Sequence, residues 1–321
     1  MNFLHLFKFS TFVLLVPLLW ACSPAGKPVF NLSPSGNYAA ALSQDGSLAI
    51  VSSSDGITLW DIPNQRAKYQ WWQGDRRDNV IAVALSNNNQ YAATLSSDSV
   101  ALWQLSDGKS LGWWSLSGQA QCVAVANDGQ LLVGSADASV FYLAAERQRL
   151  VKFLGHTEKV NSVAFAADGK LALTGGNDAK ALLWRTADGK IIKQWATDSR
   201  VLTTAISPSG KLAFVSDSTG NAFIWDIAQQ RQVSRLNIHT RLMNFTAVSF
   251  IQQEQQLLTG TPNRESQLWR ISTGEKLGSW QVAIPPKPQP PGAVVYAVSQ
   301  WGGNGIQAIS SSGMLERWQH P

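Results

Sequence analysis

The sequence predicts an all-β fold: a propeller of seven blades, each of four antiparallel strands. Three observations predict it. A large aromatic ends an alternating apolar run at Trp60, Trp103, Tyr142, Trp184, Trp225, Trp269 and Trp318, at spacings of 43, 39, 42, 41, 44 and 49 residues. A period of about 40–45 residues with four short strands per unit marks a propeller. The runs are parted by turn sequences such as Asp45-Gly46, Asn88-Asn89, Asp128-Gly129, Asp168-Gly169 and Ser209-Gly210, residue types that accept positive φ in tight hairpins. Finally, a large apolar residue stands 11 positions after each aromatic but the last: Trp71, Trp114, Phe153, Trp195, Leu236 and Trp280. That position belongs to a fourth strand and faces the core.

Composition agrees. Of 321 residues, 45% are hydrophobic and only 15% charged, below the roughly 25% charged of an ordinary soluble domain. Blades cover one another on both faces, so few strand positions are left for charge. The net charge of +5 comes from scattered Lys and Arg without a basic run, so no nucleic-acid surface is expected. Two cysteines, Cys22 and Cys122, give no disulfide framework. Cys122 lies in an apolar run and reads as a small buried hydrophobe.

At the N-terminus, a weakly basic start (residues 1–8) precedes an apolar run (9–20). That run is shorter than the about 20 residues a bilayer span needs and fits a secretory signal segment. It ends in Leu19-Trp20-Ala21-Cys22, which resembles a bacterial lipobox, with Trp20 a departure from the usual small residue. The resemblance implies a signal peptide over 1–21, cleavage after Ala21 and lipidation of Cys22. Residues 22–26 then form a short tether. With Ser23 after Cys22 and not Asp, the resemblance points to the outer-membrane class of lipoprotein. The four residues 23–26 reach roughly 14 Å, which would bring the rim at the chain's start close to the bilayer.

The blade cores fall near 39–72, 80–114, 120–154, 160–196, 201–237, 245–282 and 293–321. The last unit lacks a fourth strand, because Trp318 is followed by three residues only. Residues 27–32, Lys-Pro-Val-Phe-Asn-Leu, follow a Gly as Lys190 to Trp195 follow Gly189, and supply the missing strand. That closure leaves the ring no open end. A separate hairpin over residues 30–41 is the alternative, since Ser33-Pro34-Ser35-Gly36 is itself a turn sequence.

Over residues 27–321 this pattern resembles the WD40-repeat family. Blade four carries the family marks best, with Gly155-His156 and with Thr174, Asp178 and Trp184. The resemblance implies a buried structural network in which imidazole, carboxylate and hydroxyl satisfy one another. His239, Thr259, Asn263 and Trp269 form a weaker copy in blade six. A His156–Asp178 pair also invites a catalytic reading. Yet the chain has no Gly-x-Ser-x-Gly, no His-Glu-x-x-His, no complete phosphate loop and no clustered metal ligands. No catalytic residue, metal or cofactor is assigned.

Two features stand outside the repeat logic. Pro285, Pro286, Lys287, Pro288, Pro290 and Pro291 lie between blades six and seven. They favour extended polyproline II, which loses little entropy when bound; a stiff spacer is the plain alternative. The doublets Trp71-Trp72 and Trp113-Trp114 place Trp72 and Trp113 on the strand face opposite the core residue. There they are either buried between blades or exposed as a partner site. The expected function is a non-catalytic, lipid-anchored scaffold or adaptor of the bacterial envelope, a monomeric propeller on the periplasmic face of the outer membrane, binding other envelope proteins through its loops. A subunit of an outer-membrane protein assembly machine is one version of this. The rivals are a quinone-cofactor-type propeller enzyme and a cell-wall glycan binder.

Overall fold

The computed structural model of the protein describes residues 27–74, 79–144, 146, 150–240, 242–284 and 293–319. Cys22 and the proline-rich residues Pro285, Pro286, Lys287, Pro288, Pro290 and Pro291 lie outside them. Every element among the described residues is a strand. The chain begins with β1 (Lys27–Asn31). Blade one is β2 (Ala39–Leu42), β3 (Leu48–Ser53), β4 (Gly56–Asp61) and β5 (Arg66–Trp71), and blade two is β6 (Ala82–Leu85), β7 (Tyr91–Leu95), β8 (Ser99–Gln104) and β9 (Ser110–Ser115). Blade three is β10 (Ala120–Val125), β11 (Leu131–Ser135), β12 (Val140–Leu143) and β13 (Leu150–Phe153). Blade four is β14 (Val160–Phe165), β15 (Leu171–Gly176), β16 (Lys180–Arg185) and β17 (Ile191–Ala196). Blade five is β18 (Val201–Ile206), β19 (Leu212–Asp217), β20 (Ala222–Asp226) and β21 (Arg231–Arg235), and blade six is β22 (Ala247–Ile251), β23 (Gln256–Gly260), β24 (Glu265–Arg270) and β25 (Lys276–Gln281). The last three strands are β26 (Val295–Trp301), β27 (Gly305–Ser310) and β28 (Met314–Gln319).

The strands make seven four-stranded antiparallel sheets. The seventh runs β1-β28-β27-β26, so the first strand of the described chain completes the last sheet. Lys27 pairs with Arg317 and Asn31 with Met314, across a bulge between Pro28 and Phe30. The separate hairpin over residues 30–41 does not form.

The core is not one cluster but seven, one in each seam between neighbouring blades. This explains why the middle strands are apolar at successive residues and not at every second one. Ile50 packs toward blade two while Val51 packs toward blade seven, and both are buried. The residue 11 places after each aromatic is the fastener of these seams. Trp71 stacks on Trp103 at 4.8 Å, Phe153 on Trp184 at 4.4 Å, and Trp195 meets Trp225 at 5.4 Å. Leu236 lies with Trp269, and Trp280 with Trp318, in their own seam clusters. Each aromatic pair adds about 1 kcal/mol beyond the area it buries.

Because the strands alternate in direction, all outer-to-inner connections and all second-to-third turns share one face of the disc. The first-to-second and third-to-fourth turns share the other. The closing seam is pinned on both. On the first, Gly313, at φ 83°, sits so close to Ser33 that a Cβ would lie 2.0 Å from the Ser33 carbonyl oxygen. On the second, Gln307 donates to the Gly46 carbonyl at 2.8 Å.

Candidate functional site

The polar cluster of blade four forms where β14, β15 and the β15–β16 turn meet the incoming connection. Two oxygens of Asp178 lie 3.1 Å from His156 Nδ1, and Thr174 Oγ1 lies 2.8 Å from His156 Nε2. The carboxylate can only accept, so Nδ1 carries the proton and the Thr174 hydroxyl donates to Nε2. Asp178 also accepts the Thr157 N–H at 3.1 Å and the Lys180 N–H at 3.3 Å. Burial holds the imidazole below its ordinary value, and the hydrogen bond to Asp178 offsets only part of this. Each polar side-chain group of the triad is directed at another member, at the turn or at the connection. The side chains of all three are closed off from solvent.

Trp184 does not join this network. Its Nε1 is buried without a hydrogen-bond partner, and the ring is held by stacking on Phe153 and by an edge contact to Tyr142 at 6.4 Å. The blade-six copy is thinner than the sequence suggests. Trp269 Nε1 donates to Thr259 Oγ1 at 3.0 Å, but His239 and Asn263 are exposed. The cause is the connection, residues 236–246, which is longer than its counterpart at 154–159 and carries His239 out to the surface. Without the imidazole, Asn263 has no buried acceptor to meet.

The sequence reading missed the most complete network, in blade two. Trp103 Nε1 donates to Thr94 Oγ1 at 2.9 Å, and Thr94 donates to Gln73 Oε1 at 2.5 Å. Gln73 Nε2 then donates to the Ser99 carbonyl at 3.1 Å and to its hydroxyl at 3.0 Å. A glutamine amide occupies the seat that imidazole takes in blade four. The signal was a Thr nine or ten residues before the Trp that ends the third strand, present at Thr94, Thr174 and Thr259.

Trp72 and Trp113 are both exposed, Trp113 to 57%. Trp72 lies against Gly56, the first residue of β4, at the end of blade one. Trp113 is mid-strand on the rim, paired with Ala101. Their core-facing neighbours differ: Trp71 is buried, while Trp114 is half-buried against the seam between blades two and three.

Among the described residues, the exposed large apolar side chains are unevenly placed. Tyr38, Trp72, Ile81, Leu154, Leu242 and Ile284 all lie in outer-to-inner connections, hence on one face. Leu154 is 73% and Leu242 68% exposed. The remaining four, Trp113, Val151, Ile191 and Ile192, are on outer strands. Also on the connection face, buried Glu316 accepts the Ala283 N–H at 3.0 Å and so anchors the start of the link into blade seven. Burial raises this carboxyl's pKa, against the Ala283 bond and the nearby Arg264.

The axis holds a channel of about 550 Å³ lined by all seven inner strands. Cys122 lines it and is half-buried, less enclosed than the apolar run suggests, and desolvation pushes its thiol up to about 12, which keeps the thiolate scarce. Among the described residues no group of three or more His, Cys, Asp or Glu is arranged to hold a metal ion.

Comparison with known proteins agrees with this geometry. The sequence model of the WD domain, G-beta repeat family matches residues 147–185. The match starts beside β13, the outer strand of blade three, and ends with β16, the third strand of blade four. The sequence repeat is therefore offset by one strand from the blade, the same offset that sends β1 to blade seven. No curated protein matches the chain. The chain is thus a seven-bladed β-propeller that carries a WD40 repeat across its third and fourth blades.

Proposed function

We propose that the protein is a non-catalytic scaffold of the bacterial envelope, tethered through lipid on Cys22, that binds other envelope proteins through the connection face of its disc. WD40 propellers are typically scaffolds for protein interaction. The observation that carries the reading is the gathering of six exposed apolar side chains on that face, from Tyr38 to Ile284. Large apolar side chains exposed on one face are candidates for burial against a partner. The blade-four cluster supports a structural role, because its imidazole, carboxylate and hydroxyl are spent on one another. Service as a subunit of an outer-membrane protein assembly machine is the more specific form of the proposal. Its basis is the likeness in architecture between this lipobox-bearing propeller and such subunits.

The test is co-purification from detergent-solubilised envelopes of the source bacterium. Replacement of Leu154, Leu242 and Ile284 by Ser removes on the order of 1 kcal/mol of binding for each apolar side chain. Recovered partner is expected to fall tenfold or more while the fold persists by circular dichroism. Undiminished recovery contradicts the proposal.

A further inference from the structure

The outer strand of each blade ends its sheet and so offers a free edge. β1, β5, β13, β17, β21 and β25 all carry Lys or Arg, and none carries Asp or Glu. Charge on an edge strand, lysine above all, is a common guard against pairing with another chain. β9 is the exception. Its sequence, Ser-Leu-Gly-Trp-Trp-Ser, has no charge and no Pro. The bulge where β9 meets Leu102 and Trp103 is no special guard, since blades one, four, five and six carry one at the same place. Past that bulge, residues 112–115 pair regularly with β8.

The backbone of this stretch is set for a further strand. Leu116 donates its N–H to the Asp98 carbonyl at 2.7 Å. Bonded and non-bonded pairs alternate along an antiparallel ladder, and the register pairs Ser115 with Ser99, Trp114 with Val100, Trp113 with Ala101 and Gly112 with Leu102. Trp114 and Gly112 therefore spend their N–H and C=O groups on β8. Trp113 and Ser115 turn theirs outward, and among the described residues no hydrogen bond meets them. The side chains agree. Trp113 is 57% exposed and Ser115 is exposed, while half-buried Trp114 between them faces the seam with blade three. A single exposed tryptophan is ordinary; this one lies on the one unguarded edge.

We propose that β9 pairs with β9 of a second copy of this chain, antiparallel about a two-fold axis, so that the two four-stranded sheets of blade two become one. The charge pattern selects this occupant. Two copies meeting along any other outer strand would add like charges to the shared edge with no acid to offset them. β9 alone meets itself without that repulsion, and a two-fold contact needs a strand that complements itself. A foreign strand bearing carboxylates would be drawn to the basic edges instead. The register that uses every outward group of this stretch sets Trp113 opposite Ser115 of the second copy, with the axis at Trp114. Trp113 then covers the added strand, and tryptophan is a frequent anchor of interfaces. This dimer replaces the monomer expected from the sequence. It uses none of the connection side chains from Tyr38 to Ile284, so it and the partner-binding reading above can fail separately.

The test uses the full-length protein in detergent, read by sedimentation equilibrium over a wide range of concentration. A mass of two chains is expected. Trp113→Lys, which gives β9 the charge of the other outer strands, is expected to raise the dissociation constant about tenfold or more. Ser115→Pro is expected to do the same with neither charge nor tryptophan altered, because it removes an outward N–H and leaves the bonds to β8 in place. Both side chains are exposed, so both variants are expected to keep the circular dichroism of the wild type. Gln232→Lys, which adds charge to the already basic β21, is expected to leave the dimer unchanged. A single-chain mass for the wild type overturns the proposal, as does a dimer that persists in Trp113→Lys. A dimer lost in Trp113→Lys but kept in Ser115→Pro is a side-chain contact and overturns the shared sheet. A photo-crosslinking residue at Ser115 in native envelopes is expected to give an adduct of two copies. An adduct to a different protein instead assigns the edge to a foreign strand and overturns the proposal.

Discussion

Phe30 meets Trp60 with ring centroids 5.6 Å apart and planes tilted by 57°. Phe30 belongs to the strand that completes blade seven, and Trp60 to the third strand of blade one. The contact is the same kind of fastener as Trp71 on Trp103 and Phe153 on Trp184. The chain therefore closes twice at one place, by the β1–β28 ladder within a sheet and by an aromatic contact between sheets. Phe30→Ala removes the second closure only. It is expected to cost about 2 kcal/mol, less than a fully buried Phe because the site is half-exposed. A fall in the urea midpoint, with the opening of blade seven seen by hydrogen exchange, is the check.

Gly313→Ala is expected to destabilise by about 2 kcal/mol or more. The residue holds a left-handed conformation, which costs an L-residue energy by itself. The added methyl would meet the Ser33 carbonyl at 2.0 Å. Gly302 is the control. It has a similarly positive φ of 57° but nothing within 4 Å, so alanine there is expected to cost about 1 kcal/mol, the conformational part alone. Thermal unfolding of the two variants side by side separates the terms.

The blade-two network predicts a larger loss than its size suggests. Thr94→Val is nearly isosteric, yet it leaves the Trp103 N–H and the Gln73 carbonyl oxygen buried without partners. An orphaned buried group costs about 1–3 kcal/mol. Urea denaturation is expected to show about 2 kcal/mol or more, whereas Thr94→Ser, which keeps the hydroxyl, stays within about 1 kcal/mol.

His156 gives the fold a pH dependence with a definite sign. Its folded-state pKa lies below the ordinary histidine value because burial disfavours the charged ring. As pH falls through about 6.5, the unfolded chain binds a proton that the folded chain does not, and stability drops. The contribution is complete above that pH and is lost progressively below it. Blade two shows that an amide fits the same seat. His156→Gln is therefore expected to fold and to flatten the loss of stability between about pH 7.5 and about pH 5, measured by denaturant midpoints across that range.

Much of the fold was legible because seam packing imposes a spacing. The large apolar residue 11 places after one blade's aromatic packs toward the next blade, meeting that blade's aromatic at Trp71–Trp103, Phe153–Trp184 and Trp195–Trp225, so Trp60 through Trp318 mark the blades. The closing strand was legible from another signal, the likeness of residues 27–32 to the run from Lys190 to Trp195. The polar networks were legible only in part. His156 and Asp178 are recognisable types, but Gln73 is an ordinary residue until the structure places it on Thr94. His239 has the right type and nearly the right spacing, and its longer connection carries it away. Exposure was the least legible property. Alternation puts Trp72 and Trp113 opposite their core-facing neighbours, but whether the next blade covers them depends on the splay of the outer strands.

The central claim is that the disc binds its partners through its connection face. A photo-crosslinking residue placed at Leu242 on that face, or at Ala228 in the β20–β21 turn on the other, tests it most directly in native envelopes. The account predicts discrete protein adducts from Leu242 and none from Ala228. Protein adducts from Ala228 with none from Leu242 would contradict it.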